Sequence, residues 1–130
     1  MGFTVFSTSD QNCGSDERVK FQGIITNYGS SFDTSTSQFV CPVNGYYLFS
    51  TSVVNVEEHR VSSDIIVDGT RVAHAYARFS QDCNQGASTG IVYCSQGTGV
   101  HVICGQDDRV RGDGNTPYTS FSGVLLKIAP

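Results

Sequence analysis

The sequence predicts an all-β domain, a ten-stranded sandwich or jelly roll, and three observations carry the prediction. Short runs rich in Val, Ile, Phe, Tyr and Thr recur every ~8 to 15 residues. Gly, Asn, Asp and Ser separate them, and nowhere do apolar residues hold a helical period for three turns. So many short strands favour a sandwich or jelly roll over a simple meander.

The strands are expected near 3–8 ("FTVF"), 20–27 ("GIIT"), 38–41 ("QFVC"), 45–55 ("GYYLFSTSVV"), 63–68 ("DIIV"), 71–79 ("RVAHAYARF"), 88–95 ("GIVYC"), 99–105 ("VHVIC"), 108–112 and 119–128 ("FSGVLLKI"). Asp68-Gly69 reads as a hairpin turn, as does the stretch from Gly97 to Gly99. Asn44-Gly45 is the turn before "YYLFSTSVV", and the polar segment 30–38 ("SSFDTSTSQ") reads as a surface loop. With no repeat and no linker, residues 1–130 form one domain.

Two strands say more. In "GYYLFSTSVV" the alternating sets Tyr47, Phe49 and Tyr46, Leu48 are both apolar, which predicts a strand covered on both faces, the second cover coming from a partner subunit. In "RVAHAYARF" the set Ala73, Ala75, Ala77 leaves one face small enough for close sheet packing.

Composition excludes several classes. Charged residues make up 15% of the chain, the net charge is −4, and the 8 Lys and Arg are scattered from Arg18 to Lys127, which argues against nucleic acid and anionic membranes. No stretch approaches the ~20 apolar residues of a membrane span, and Met1-Gly2-Phe3-Thr4 lacks the basic start and apolar run of a signal peptide. Five cysteines suit an oxidising compartment, but their odd number leaves at least one free or paired outside the chain. There is no Gly-x-Ser-x-Gly elbow, His-Glu-x-x-His, P-loop or paired-cysteine zinc spacing, and the 3 histidines are isolated, so no enzyme is expected.

From Phe21 onward the residues Phe21, Asn27, Phe32, Phe39, Gly45, Tyr47 and Phe49 follow a fixed spacing, and the chain ends with Phe121-Ser122-Gly123-Val124-Leu125-Leu126. In both respects it resembles the C1q-domain family, the globular heads of complement C1q and its relatives, with Thr51 departing where an aromatic is usual. The resemblance implies a jelly roll of the tumour-necrosis-factor-like type, a homotrimer, and a secreted, extracellular protein that binds other molecules. It further implies a lectin-like, pattern-recognition role, with glycans or microbial surface molecules as ligands in innate immunity. A cytokine-like or extracellular-matrix trimer that binds a protein receptor is the alternative. No cofactor is required. Calcium is the metal that relatives suggest, and Asp82, Asn84 and Gln85 in "FSQDCNQGASTG" align with the family's ligand-bearing stretch, although one carboxylate is little for an ion that takes six to eight oxygens.

The ligand site is sought in residues 105–119, the densest charged region, where Asp107, Asp108, Arg109, Arg111, Asp113 and Tyr118 combine guanidinium, carboxylate and aromatic groups suited to sugars or anions. Arg111-Gly112-Asp113 also spells an adhesion tripeptide, yet it straddles a strand end instead of a loop tip. If the Gly97–Gly99 link is a hairpin, Cys94 and Cys104 sit on its facing arms. Cys13 and Cys83, in loop-like segments, are candidates for a bridge or for linking trimers, and buried thiols remain the plain alternative.

Overall fold

The computed structural model describes residues 1–130, apart from the side chain of Ser80. In chain order its strands are β1 (Gly2–Phe6), β2 (Gln11–Asn12), β3 (Glu17–Arg18), β4 (Gly23–Tyr28), β5 (Phe32–Asp33), β6 (Gln38–Val40), β7 (Gly45–Val54), β8 (His59–Val67), β9 (Thr70–Ser80), β10 (Gln85–Cys94), β11 (Gly99–Cys104), β12 (Arg109–Val110) and β13 (Ser120–Ile128). All ten expected strands are present. Three two-residue strands, β2, β3 and β5, join them, each too short to leave a period in the sequence.

Five strands form one sheet in the order β10-β7-β13-β1-β4. A six-stranded sheet runs β5-β6-β11-β8-β9, with β3 also pairing β11, and β12 pairs β2 in a small ribbon. Every pairing is antiparallel, and the core lies between the two large sheets. The arrangement is a jelly-roll sandwich.

The core is aromatic. Phe3 lies 5.0 Å from Phe32, 4.8 Å from Phe39 and 4.9 Å from Phe121 between ring centroids, and Phe121 reaches Phe21 and Phe49 at 5.7 and 6.1 Å. Such pairs contribute about 0.5–1.5 kcal/mol each beyond area burial. Tyr47 is fully buried, so its hydroxyl needs partners: it donates to the Val43 carbonyl at 2.7 Å and accepts from the Val43 N–H at 3.3 Å. Burial raises its phenol above the ordinary value. Asn27 locks the segment that follows it, its amide donating to the Phe32 carbonyl at 3.0 Å and accepting from the Phe32 N–H at 3.2 Å. Thr51, where the family usually has an aromatic, is buried and donates to the Ser120 carbonyl at 3.0 Å.

Three local expectations need correction. The Gly97–Gly99 link is not a hairpin: β10 pairs with β7 and β11 with β8, so the chain crosses between sheets there. Asn44-Gly45 likewise leads from one sheet to the other, and Gly45 does not have positive φ. Its hydrogen is required by crowding, since a Cβ would stand 2.5 Å from the Lys127 carbonyl oxygen. Segment 30–38 is not purely a surface loop, because Phe32 and Ser37 are buried and the Ser37 hydroxyl accepts from the Phe21 N–H at 2.9 Å. Within the chain β7 is covered on one face only, with Tyr46 47% exposed, so a second cover would have to come from outside it.

Other readings hold. Asp68 and Gly69 both have positive φ (50° and 75°) in the two-residue turn between β8 and β9. Ala75 and Ala77 are buried, and a Cβ on Gly86 would collide with the Tyr76 backbone, so β10 closes tightly on β9.

The disulfides are Cys13–Cys104 and Cys41–Cys94, and Cys83 is free and exposed. This corrects the hairpin pairing of Cys94 with Cys104. Cys94 ends a strand of one sheet and Cys104 a strand of the other, so their side chains are drawn to different partners.

Candidate functional site

Residues 105–119 do not form one loop. β12, paired with β2, divides them into two ends with different neighbours.

At the first end Asp107 has positive φ (66°), and its N–H donates to the Cys13 carbonyl at 3.0 Å. Asp108 is turned inward and only 3% exposed. Its Oδ2 accepts from the Ser62 N–H at 2.7 Å, the Ser62 hydroxyl at 2.8 Å and the Gly105 N–H at 3.1 Å, while Oδ1 pairs with Arg60 Nε at 3.3 Å. A carboxylate so engaged is an internal bracket and has no oxygen to offer a ligand. The assignment of Asp108 to the ligand site is therefore corrected.

At the second end the side chains converge. Arg111 Nη1 lies 3.2 Å from Glu57 Oε1, and the guanidinium sits 5.1 Å over the Tyr118 ring. Arg109 approaches Asp10 at 4.0 Å. The Cys83 thiol donates to Glu57 Oε1 at 3.2 Å. That bond, a backbone N–H and nearby Arg111 hold the Glu57 carboxyl below its usual range. The same bond, with a smaller contribution from lost solvation, pushes the Cys83 thiol up. Glu57→Ala is expected to accelerate alkylation of Cys83 by iodoacetamide at neutral pH, because losing the acceptor lowers the thiol and raises its thiolate fraction. An unchanged alkylation rate would show the bond to be of no consequence.

The tripeptide Arg111-Gly112-Asp113 is pinned along its backbone. Arg111 N–H donates to the Val54 carbonyl at 2.9 Å, Gly112 N–H to Asp10 Oδ1 at 2.9 Å, and Asp113 N–H to the Ser7 carbonyl at 3.0 Å. Asp113 Oδ1 in turn accepts from Asn115 N–H at 2.8 Å. Gly112 presses so close to Ser9 that a Cβ would collide with its backbone. Gly112→Ala is expected to cost about 2 kcal/mol by displacing residues 7–10, measured by thermal unfolding.

The second set, Asp82, Asn84 and Gln85, is exposed, and Asn55 dominates its surroundings. Fully buried Asn55 donates from Nδ2 to the His59 carbonyl at 2.8 Å and the Asp82 carbonyl at 3.3 Å, and its Oδ1 accepts from Asn84 N–H at 2.6 Å. Asn84's carbonyl accepts from Asn55 N–H, and Gln85 Nε2 donates to the Ser52 hydroxyl. The Asp82 and Asn84 carbonyls are thus already bonded. The described residues contain no cluster of three His, Cys, Asp or Glu placed to hold a metal. The donor set of one chain does not fit calcium's demand for six to eight oxygens.

Asn55, Glu57, Asp10 and Cys83 shape both regions, yet sequence reasoning gave them no site role. Glu57 and Arg111 are 54 positions apart, and Asp10 and Gly112 are 102 apart, so no spacing could reveal these contacts.

This jelly roll offers loop-borne charge and aromatic groups on a rigid sandwich, the build of a ligand-binding head. The C1q domain family matches residues 2–126, and the chain belongs to that family. Among solved structures it is similar to the globular domain of zebrafish complement 1qA protein, at 14% identity over 98% of each chain with a TM-score of 0.81. It is also similar to Eiger TNF from S. frugiperda, at 11% identity over 100% of this chain and 94% of that one with a TM-score of 0.81. For murine APRIL the identity is 14%, over 96% of this chain and 98% of that one, with a TM-score of 0.74. Proteins of the C1q/TNF class are generally non-enzymatic binders of receptors or ligands, form trimers and are typically extracellular. No helix here is long and apolar enough to cross a membrane.

Proposed function

We propose that the protein is a secreted, lectin-like recognition head that acts as a homotrimer and binds carbohydrate or other microbial surface ligands in innate immunity. The observation that carries this reading is the uncovered outer face of the five-stranded sheet. Ile91 of β10, Leu48 of β7 and Val124 of β13 lie in one row across it, flanked by Tyr46 and Tyr93. Ile91 is 65% exposed, and Tyr93 45%. Beside this row runs a hydroxyl row, in which Thr89 donates to Ser50 at 3.0 Å and Thr4 bonds Ser122 at 2.8 Å. Both rows are uncharged, and a contiguous apolar patch rimmed by neutral polar groups suits burial against like copies.

Arg111, stacked on Tyr118 near Asp113 and Arg109, supplies the ligand groups, and three copies on a repetitive surface would gain avidity from weak single sites. Calcium would have to draw on the 82–85 segments of several copies. The trimer is tested by sedimentation, with Leu48→Glu expected to yield monomers. The ligand class is tested on a glycan array with calcium and with chelator. An array blank in both conditions would sink the glycan reading and leave the protein-receptor alternative.

A further inference from the structure

Four of the chain's 8 Lys and Arg, scattered between positions 18 and 78, are collected by the sheet topology onto one surface, the outer face of the six-stranded sheet. Arg18 of β3 stands opposite Ile103 of β11, and Arg71 of β9 opposite Ile66 of β8. Arg60 projects from the same side of β8 as Ser62 and Asp64. Arg78 projects from the same side of β9 as His74 and Tyr76. His101 of β11 lies opposite Ile66, and burial and neighbouring Arg18 hold its imidazole below the ordinary value.

Two carboxylates answer these charges. Asp64 pairs with Arg71 Nε at 3.1 Å and His74 Nδ1 at 2.5 Å, and Asp108 with Arg60 Nε at 3.3 Å. Arg71 and Arg60 remain 64% and 58% exposed at the side chain. Among the described residues Arg18 bonds only the Thr36 carbonyl, and Arg78 has no ion pair. Asp33 of β5, opposite Gln38, is exposed on the same side, so with neutral histidines these four arginines and three aspartates sum to +1.

We propose that this face docks a sulfated polysaccharide, a proposal that rests on the glycan reading above and names its ligand class. Charge complementarity favours that occupant. The arginines spread over roughly 14 Å across four strands and about 23 Å along β9, a span for an extended chain with repeated anionic groups rather than for one small anion. The guanidinium fork matches the oxygens of a sulfate, and Tyr76, 52% exposed among them, offers a ring for a sugar face. Duplex nucleic acid calls for a denser basic stripe.

The test is binding of the whole protein to immobilised heparin and to neutral glycans by surface plasmon resonance, with anionic vesicles and duplex DNA as competitors. Arg78→Gln breaks no bond among the described residues and is expected to weaken heparin binding about three- to tenfold, with Arg71→Gln/Arg78→Gln weaker by more than about tenfold. Lys127→Gln, which removes one charge from β13 in the other sheet, should stay within about twofold, and rising salt should release heparin. The proposal is overturned if the wild type ignores heparin at physiological salt, if the double variant binds like Lys127→Gln, or if vesicles or DNA compete as well as free heparin. Retained neutral-glycan binding with no heparin binding sinks only this proposal. Heparin binding that depends on Arg78 without neutral-glycan binding sinks only the role given to Arg111 and Tyr118.

Discussion

Replacing Cys41 and Cys94 together with Ala is expected to lower the unfolding free energy by about 4 kcal/mol, and replacing Cys13 and Cys104 by about 5 kcal/mol. The bridges join residues 53 and 91 positions apart, so in the chain-entropy view each removes much of the freedom of the unfolded chain. Cys41–Cys94 also ties the two sheets together just where the chain crosses between them, with the Cys41 N–H donating to Thr98 and its carbonyl accepting from Gly97. Cys13–Cys104 fastens the segment around β2 and β3 to β11. Loss of both would remove about 9 kcal/mol, most of what a domain of this size ordinarily has. Urea unfolding at fixed protein concentration, with and without reductant, checks the pair of values. A Cys41→Ala/Cys94→Ala protein that unfolds at the parent's midpoint would contradict the account.

The second large effect is expected at Phe121. Its ring meets those of Phe3, Phe21, Phe32 and Phe49, contributed by strands of both sheets and by the segment before β4. Gly123, two residues on, is filled against: a Cβ there would come 2.8 Å from a Phe49 ring carbon, so the neighbours cannot close over a lost ring without moving the sheet. Phe121→Ala should therefore cost about 3–5 kcal/mol, whereas Phe121→Leu, which keeps most of the volume, should cost less than half of that. Equal losses for the two variants would mean that volume is not what Phe121 supplies.

The fold was legible because its signals are local and periodic. Alternation marks β7, β8 and β11, and Asp68-Gly69 marks a turn whose two positive φ angles need those residue types. Crossings were not legible. Gly97 has positive φ whether the chain turns back on itself or passes to the opposite sheet, so the disulfides, which depend on that difference, stayed open. The candidate site was read as one stretch because its charges are adjacent in sequence. In space Asp108 belongs to β8 through Ser62, while Arg111 belongs with Glu57 and Tyr118. The arginines at 18, 60, 71 and 78 suffered the converse, looking dispersed until antiparallel register set them side by side.

β1 and β13 pair along their lengths, Gly2 opposite Val124 and Phe6 opposite Ser120. The first strand made therefore has β4 early on one side but gains its neighbour on the other only after the last strand exists. Long-range closure of this kind slows folding, to about milliseconds or seconds in all-β domains, while the β8–β9 hairpin can form in about 1–10 microseconds. During synthesis the edge of β1 that will take β13 waits unpaired, beside β4 with Ile24, Ile25 and Tyr28 on the surface, and that interval is when the chain is most open to pairing with a neighbour instead of with itself.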